Sequence, residues 1–412
     1  MIAFRYFPAL SICSALMAEV DFKGHVDLTS QAYLNHREGK HSNNFTASAQ
    51  LELGYTKENY ETLAKLSAQQ DYHDLKGSSE QNERSFLRLD EFYAQYEGEA
   101  YQLMAGKSIR FWGALEVENI VNGFNPDDLR TDLFDADKLG VWNLSYTHYT
   151  DNGELAAIIK LEEQDQPMAT HPYVYYLFPE FVSYDKDLQT EKSKNRPSVY
   201  LKYSASTDTE YALDYALIFE NGYDSQRYFS SSGPLIGFPV TFKEHAYLVN
   251  KIMSYNTLVV GSTLLKLEAL YTDVIDEETV SDYYHLGWGL EHTLTQFYEQ
   301  ADLGLIAEYY KYDTLEDDKL SDLELFEIFQ NDLFLGLRYS FNEGNDASIV
   351  GGVIWDLDYR EQSYYLEYEG RVAETFKLKL DYRYVEPSED TATAFNLIGR
   401  HQRLSLGLGY YF

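Results

Sequence analysis

Arg403-Leu404-Ser405-Leu406-Gly407-Leu408-Gly409-Tyr410-Tyr411-Phe412 closes the chain, and its two faces differ. Strand side chains alternate with period two. In an extended conformation Leu404, Leu406, Leu408, Tyr410 and Phe412 share a face that is wholly apolar. Arg403, Ser405, Gly407, Gly409 and Tyr411 share the other, which is small, polar or charged. The stretch reads as a strand between an apolar phase and a wet one, ending on an aromatic.

The same pattern recurs upstream. Eighteen segments have strand character: 20–33, 44–55, 59–70, 86–96, 100–110, 140–149, 154–161, 198–206, 209–220, 243–254, 257–272, 283–294, 301–312, 332–341, 348–357, 363–373, 376–385 and 402–412. Phe45, Ala47, Ala49, Leu51, Leu53 and Tyr55 alternate with polar or small residues, as do Phe376, Leu378, Leu380, Tyr382 and Tyr384. The connections alternate as well. Tight turns are expected at Lys57-Glu58, Gly98-Glu99, Asp151-Asn152-Gly153, Thr207-Asp208, Tyr255-Asn256, Asn342-Glu343-Gly344-Asn345 and Glu374-Thr375. Longer polar loops fall around 71–85, 111–139, 162–197, 221–242, 273–282, 313–331 and 386–401. In 86–96, Arg88 and Asp90 share a face with Phe92, and in 243–254 the two faces are similar, so a bulge could reset either segment.

Composition narrows what such strands can build. The 412 residues are 16% aromatic, with 38 Tyr and only 9 Pro. Tyrosine pairs an apolar ring with a wet hydroxyl, which suits a membrane interface. Mean hydropathy is −0.42, and beyond the N-terminus no apolar run reaches helix-spanning length. A chain like this crosses a membrane only with strands, and only a closed barrel satisfies their backbone groups in lipid. The segments are near the roughly ten residues that a tilted strand needs. The expected fold is therefore all-β: a transmembrane antiparallel β-barrel of 18 strands, with short periplasmic turns and long extracellular loops. The closing stretch resembles the carboxy-terminal signal of bacterial outer-membrane β-barrels. That resemblance implies a Gram-negative outer membrane as the location. The implied partners are outer-membrane lipid and lipopolysaccharide, and the barrel-assembly machinery acting through the strand that ends in Phe412.

Residues 1–18 read as a signal peptide, with Arg5 as its positive end and Phe7 to Leu16 as its apolar core. Residues 19–412 then form a single barrel. Cys13 is the only cysteine, so the mature chain has no disulfide framework and no cysteine metal site. The formal charge of −34, from 67 acids against 33 bases, repels nucleic acid. Solvated acidic loops account for it.

From Arg88 to Asp132 an acid-aromatic strand (Glu91-Phe92-Tyr93) precedes a Gly-basic pair (Gly106-Lys107), then Trp112-Gly113, then Asn125-Pro126. This order resembles alginate-export-like and related porin-like outer-membrane barrels, which implies a channel. Lys107 stands where such proteins often carry Arg. Asn125 can cap a short helix with Pro126 at its first position. Loop 111–139 holds Glu116, Glu118, Asp127, Asp128, Asp132, Asp135 and Asp137 against Arg130 and Lys138. Folded inward, it places an acidic arm in the lumen; lying over the rim, it is a solvated face.

Bases at inward phases of the strands complement this arm. Arg338, Arg371, Lys377, Lys379, Arg383 and Arg403 lie opposite apolar sets. An Arg or Lys on the lipid face costs about 2–4 kcal/mol at the midplane, so these side chains point inward. Lys65, Asp214, Lys266, Glu268 and Glu308 make the lumen's charge mixed. A basic wall facing an acidic loop forms a transverse field. The expected function is a porin passing small hydrophilic solutes through a mixed-charge constriction with Arg110 beside it. The alternatives are an export channel for an anionic polysaccharide and a non-conducting structural or adhesive surface barrel. The aromatic run Tyr173, Tyr175, Tyr176, Phe178, Phe181 and Tyr184 reads as a loop packing on itself. No cofactor, metal or catalytic residue is assigned: the ten His are scattered, and no nucleophile or phosphate-loop motif stands out.

Overall fold

A computed structural model describes residues 20–412 except 37, 77–82, 177, 179, 208, 210, 233–239, 317–326 and 390–392. The signal-peptide assignment lies outside the described residues. Eighteen strands form the barrel: β1 (Val20–Tyr33), β2 (Asn43–Lys57), β3 (Tyr60–Asp71), β4 (Phe86–Glu97), β5 (Tyr101–Ser108), β6 (Val141–Thr150), β7 (Gly153–Lys160), β8 (Ser198–Ser206) and β9 (Ala212–Tyr223). They continue as β10 (Leu248–Val260), β11 (Thr263–Ile275), β12 (Tyr283–Tyr298), β13 (Ala301–Thr314), β14 (Asn331–Ser340), β15 (Ser348–Asp356), β16 (Gln362–Ala373), β17 (Phe376–Glu386) and β18 (His401–Tyr411).

Each strand pairs antiparallel with the next, and β18 pairs with β1 to close the sheet. Closure is completed by two reciprocal backbone bonds of 3.0 Å between Gly24 and Phe412. No sheet edge remains, which is what a hydrocarbon surround demands. The alternation on β18 is plain: Leu404, Leu406 and Leu408 are 50%, 49% and 41% exposed on the outer face, while Arg403 on the inner face is 4% exposed.

The connections alternate between the two ends, short at one and mostly longer at the other. At one end lie the short ones, such as 58–59, 151–152, 261–262, 299–300 and 374–375. At the other lie 34–42, 72–85, 109–140, 161–197, 224–247, 276–282, 315–330, 357–361 and 387–400. Two expectations need correction here. Tyr255 and Asn256 are not a turn; they lie within β10, paired with Glu268 and Leu267 of β11. The turn is Gly261-Ser262, where Gly261 adopts φ +60°, a left-handed value that costs glycine little. The segment 243–254 therefore divides. Its first part belongs to a strand, Val240–Ala246, which pairs with Val182–Thr190 and Tyr228–Ser232 in a three-stranded sheet built by two long loops. In β4 the expected irregularity is present: Lys65 pairs with Glu91 but Leu66 with Leu89, so Asp90 is the extra residue.

The apolar core lies inside the cylinder. Ile158 of β7, Tyr200 of β8, Ile218 of β9, Met253 of β10 and Leu270 of β11 point inward and pack against Trp112, Val121 and Phe124 of the 109–140 loop. The lumen thus has an apolar cluster along β7–β11 and a wetter side along β14–β18 and β1–β3.

Candidate functional site

The loop 109–140 leaves the end of β5, crosses the lumen, touches the opposite wall and returns to β6. Two wall carboxylates hold its far tip through the backbone. Glu268 on β11 accepts N–H bonds from Ala114 (2.5 Å), Leu115 (2.9 Å) and Val121 (3.3 Å). Glu308 on β13 accepts from Glu116 (2.7 Å) and Val117 (3.1 Å), and from the Tyr310 hydroxyl at 2.7 Å. Charged acceptors make such bonds stronger than neutral pairs. Between them β12 presents Gly287 and Gly289 inward. A Cβ there would stand 2.4 and 2.8 Å from the Leu115 methyls, so the absence of side chains lets the loop seat against the wall.

At its root the loop is held by Asn125. Its side chain accepts from the Arg110 N–H (2.8 Å) and donates to the carbonyls of Ser108 (3.0 Å) and Leu139 (2.7 Å). These tertiary bonds displace the expected helix cap. No helix follows Pro126; Asp127–Asp128 pair instead with Asp137–Lys138 as a two-residue ladder.

The candidate residues divide by position. Glu116 reaches Arg338 on β14, which also holds Glu291 at 2.9 Å; Lys266 meets the same Glu291 at 3.1 Å. Arg383 pairs with Glu367 at 2.8 Å and lies over the rings of Phe134 and Tyr365. Arg403 pairs with Asp381 at 2.6 Å and with Asp132 of the loop. Burial alone would raise the Asp132 pKa, but Arg403 and Arg383 outweigh it and hold the carboxyl below its ordinary range. Lys138 pairs with Asp127 at 2.9 Å.

Asp128 is fully buried between Arg88 and Arg130, so it braces the loop rather than facing an aqueous path. Arg110 packs on Phe124 and donates to Asn143 (3.1 Å) and Ser145 (2.9 Å); burial lowers its pKa to about 10. Arg371 and Lys377 lie apart from this group, toward the 374–375 turn, paired with Asp346 and Glu369; Lys379 also pairs with Glu369 but shares a cavity with Asp132 and Arg403.

Two polar cavities flank the loop on the wet side. One, of about 330 Å³, lies between β1–β3 and β16–β18 and is lined by Gln31, Thr46, Asp132, Lys379, Arg403 and Ser405 among others. The second, of about 310 Å³, lies between the loop and β15–β17, with Glu116, Glu118, Phe134 and Tyr365 on its walls. Asp135, Glu367 and Arg383 line both, so the cavities meet at the Arg383–Glu367 pair. The aromatic run does not pack only on itself. Tyr173 and Tyr175 are buried with Tyr33, Phe395 and Ile398, against Leu133 and Phe134 of the loop. The Tyr175 hydroxyl lies 3.0 Å from His401 Nε2.

The wall has the geometry of known barrels. OccK8 (OprE) of Pseudomonas aeruginosa matches with a TM-score of 0.56 at 9% identity, over 96% of this chain and 98% of that one. OccK5 (OpdH) of the same organism gives 0.54 at 9% identity, with the same coverage. The fold is that of a porin-like outer-membrane barrel. OprB of Pseudomonas putida aligns over 98% of this chain and 96% of its own, at 12% identity and a TM-score of 0.48. No family model matches the sequence, and no curated protein does.

Sequence reasoning placed Glu268 and Glu308 in the lumen but missed what they do. Their signal was a pair of inward carboxylates at midstrand, on the two strands that flank Gly287-Trp288-Gly289.

Proposed function

We propose that this protein is a channel in the outer membrane of a Gram-negative bacterium, through which small hydrophilic solutes diffuse past a mixed-charge constriction. The observation that carries the reading is the 109–140 loop, fastened across the lumen by Glu268 and Glu308, with polar cavities on its wet side. Barrels of this strand number keep a lumen wide enough for water unless loops fill it. The constriction is formed by Glu116, Glu118 and Asp135 on the loop and by Arg338, Arg383 and Arg403 on the wall. An export route for an anionic polysaccharide needs a predominantly basic lumen. Here the basic side chains of the wall are matched by carboxylates, which favours the porin reading. The outer belt suits hydrocarbon and lipopolysaccharide as neighbours, and the strand ending in Phe412 suits delivery by the assembly machinery.

Replacing Glu116 and Glu118 by Gln and Asp135 by Asn is expected to shift the reversal potential in a planar bilayer toward anion preference. An unchanged potential removes the loop from the conducting path. The pH dependence follows from Glu118. Burial, then repulsion from Glu327, pushes its pKa up to about 8. Raising pH from 6 to 9 therefore adds a negative charge to the second cavity and increases cation preference. Because the folded pKa lies above the unfolded one, this group's contribution to loop docking is full below about 4.5 and is lost as pH rises through 8. Recordings at several pH values check this, and Glu118→Gln should flatten the dependence.

A non-conducting barrel is the second reading, favoured by the buried aromatic cluster at the long-loop mouth. Zero single-channel conductance of folded protein would select it.

A further inference from the structure

Four carboxylates gather at the long-loop rim, and among the described residues none of them pairs with a Lys or Arg. Glu327 precedes β14, Asp332 is its second residue, Asp356 ends β15, and Glu361 precedes β16. Asp332 and Asp356 oppose each other directly in the ladder, and both are buried, at 0% and 6% exposure. The charged groups acting most strongly on Asp332 are Asp356, Glu327 and Glu361, all of its own sign. Asp356 is well supplied with donors: Oδ1 accepts from the N–H groups of Asp358 (2.8 Å) and Tyr359 (2.6 Å), and Oδ2 from Gln330 Nε2 (2.8 Å). Glu361 accepts from the Ser388 N–H at 2.8 Å and from Thr393 Oγ1. Asp332 is different. Among the described residues Oδ2 accepts only from the Asn331 N–H at 3.1 Å, and the buried Oδ1 has no partner. The buried Oε1 of Gln330 has none either, although the other atom of that amide touches Asp356.

Two unmatched oxygen acceptors thus lie beside a buried carboxylate. An uncompensated buried charge is costly, so either a proton or a cation must neutralise the pair, and the two partnerless oxygens are acceptors that a cation would satisfy. The donors are all hard oxygens, with no sulfur or imidazole among them, which is the preference of calcium-like ions rather than of zinc or copper.

We propose that Asp332, Asp356 and the amide oxygen of Gln330 bind a divalent cation of the calcium type at the long-loop rim. Among the described residues no three His, Cys, Asp or Glu side chains form a metal-holding group, so two carboxylates, one amide and water supply the ligands. So low a ligand charge puts the dissociation constant on the order of 10⁻⁴–10⁻³ M, the range of extracellular calcium modules. The bound ion ties the ends of β14 and β15 together beneath the 387–400 loop, which Glu361 already holds.

The test is equilibrium dialysis of the folded full chain in detergent micelles against radioactive calcium at fixed ionic strength, with thermal unfolding in parallel. The native protein is expected to retain about one calcium more than Asp332→Asn, and calcium should raise its unfolding midpoint more than that of the variant. Equal calcium binding by the two, or the same rise with sodium chloride at matched ionic strength, overturns the proposal. Gln330→Met removes only the neutral ligand and keeps the test decisive if Asp332→Asn fails to fold. It should weaken calcium binding several-fold, and unchanged affinity again overturns the site.

Discussion

Replacing Glu268 and Glu308 together by alanine is expected to raise single-channel conductance several-fold and to make the current noisier. The two carboxylates accept five backbone N–H groups from 114–121, a stretch with no secondary structure of its own to satisfy them. A hydrogen bond to a charged partner contributes roughly 1.5–3 kcal/mol. Losing two of the five already shifts the docked-to-free equilibrium of the loop by about 3 kcal/mol, a factor on the order of 100. The barrel should survive, because these side chains face the lumen and the wall ladders stay intact. Planar-bilayer recording checks the prediction. Wild-type conductance in the double variant would mean that this stretch does not limit flow.

The second large effect concerns stability. Arg88→Met leaves Asp90 and Asp128, which are 2% and 0% exposed, without their shared guanidinium. Removing one partner of a buried ion pair typically costs about 3–5 kcal/mol. Arg130 still reaches Asp128 at 2.7 Å and takes part of the load, so the lower end of that range is expected. Urea unfolding of the protein refolded in detergent, followed by tryptophan fluorescence, reads this as a lower midpoint. A midpoint equal to wild type would mean that these carboxylates are neutral or hydrated in the membrane-bound protein.

What the sequence revealed follows from the range of its signals. Period-two alternation is local, so Leu404, Leu406 and Leu408 announce an outer face without knowledge of the rest. The rhythm of short and long connections is nearly as local, and together they give strand number and topology. The reading failed where both faces of a strand are apolar. Met253 packs inward against the loop while Ile252 faces outward, so β10 had no distinguishing face and its turn was placed at Tyr255-Asn256 instead of Gly261-Ser262. Ile158, Ile218 and Leu270 are inward as well, and they were the trace of the apolar cluster against the loop. Asn125-Pro126 carried a valid local helix signal, but three bonds to Arg110, Ser108 and Leu139 overrode it. The attachment of residues 114–121 to Glu268 and Glu308 spans roughly 150–190 positions of chain and uses backbone donors, which carry no side-chain signature. Arg371 and Lys377 pair with Asp346 and Glu369 toward the 374–375 turn, away from the loop, because phase fixes the face of a strand and says little about depth along it.

The most direct measurement places a single cysteine at Glu116 in a Cys13→Ser background and applies a charged thiol reagent during single-channel recording. Position 116 lies on the arm that crosses the lumen and pairs with Arg338. A stepwise fall in current, with cationic and anionic reagents moving ion preference in opposite directions, is the predicted result. An unchanged current from channels that mass spectrometry shows to be fully labelled would contradict a conducting path past this loop.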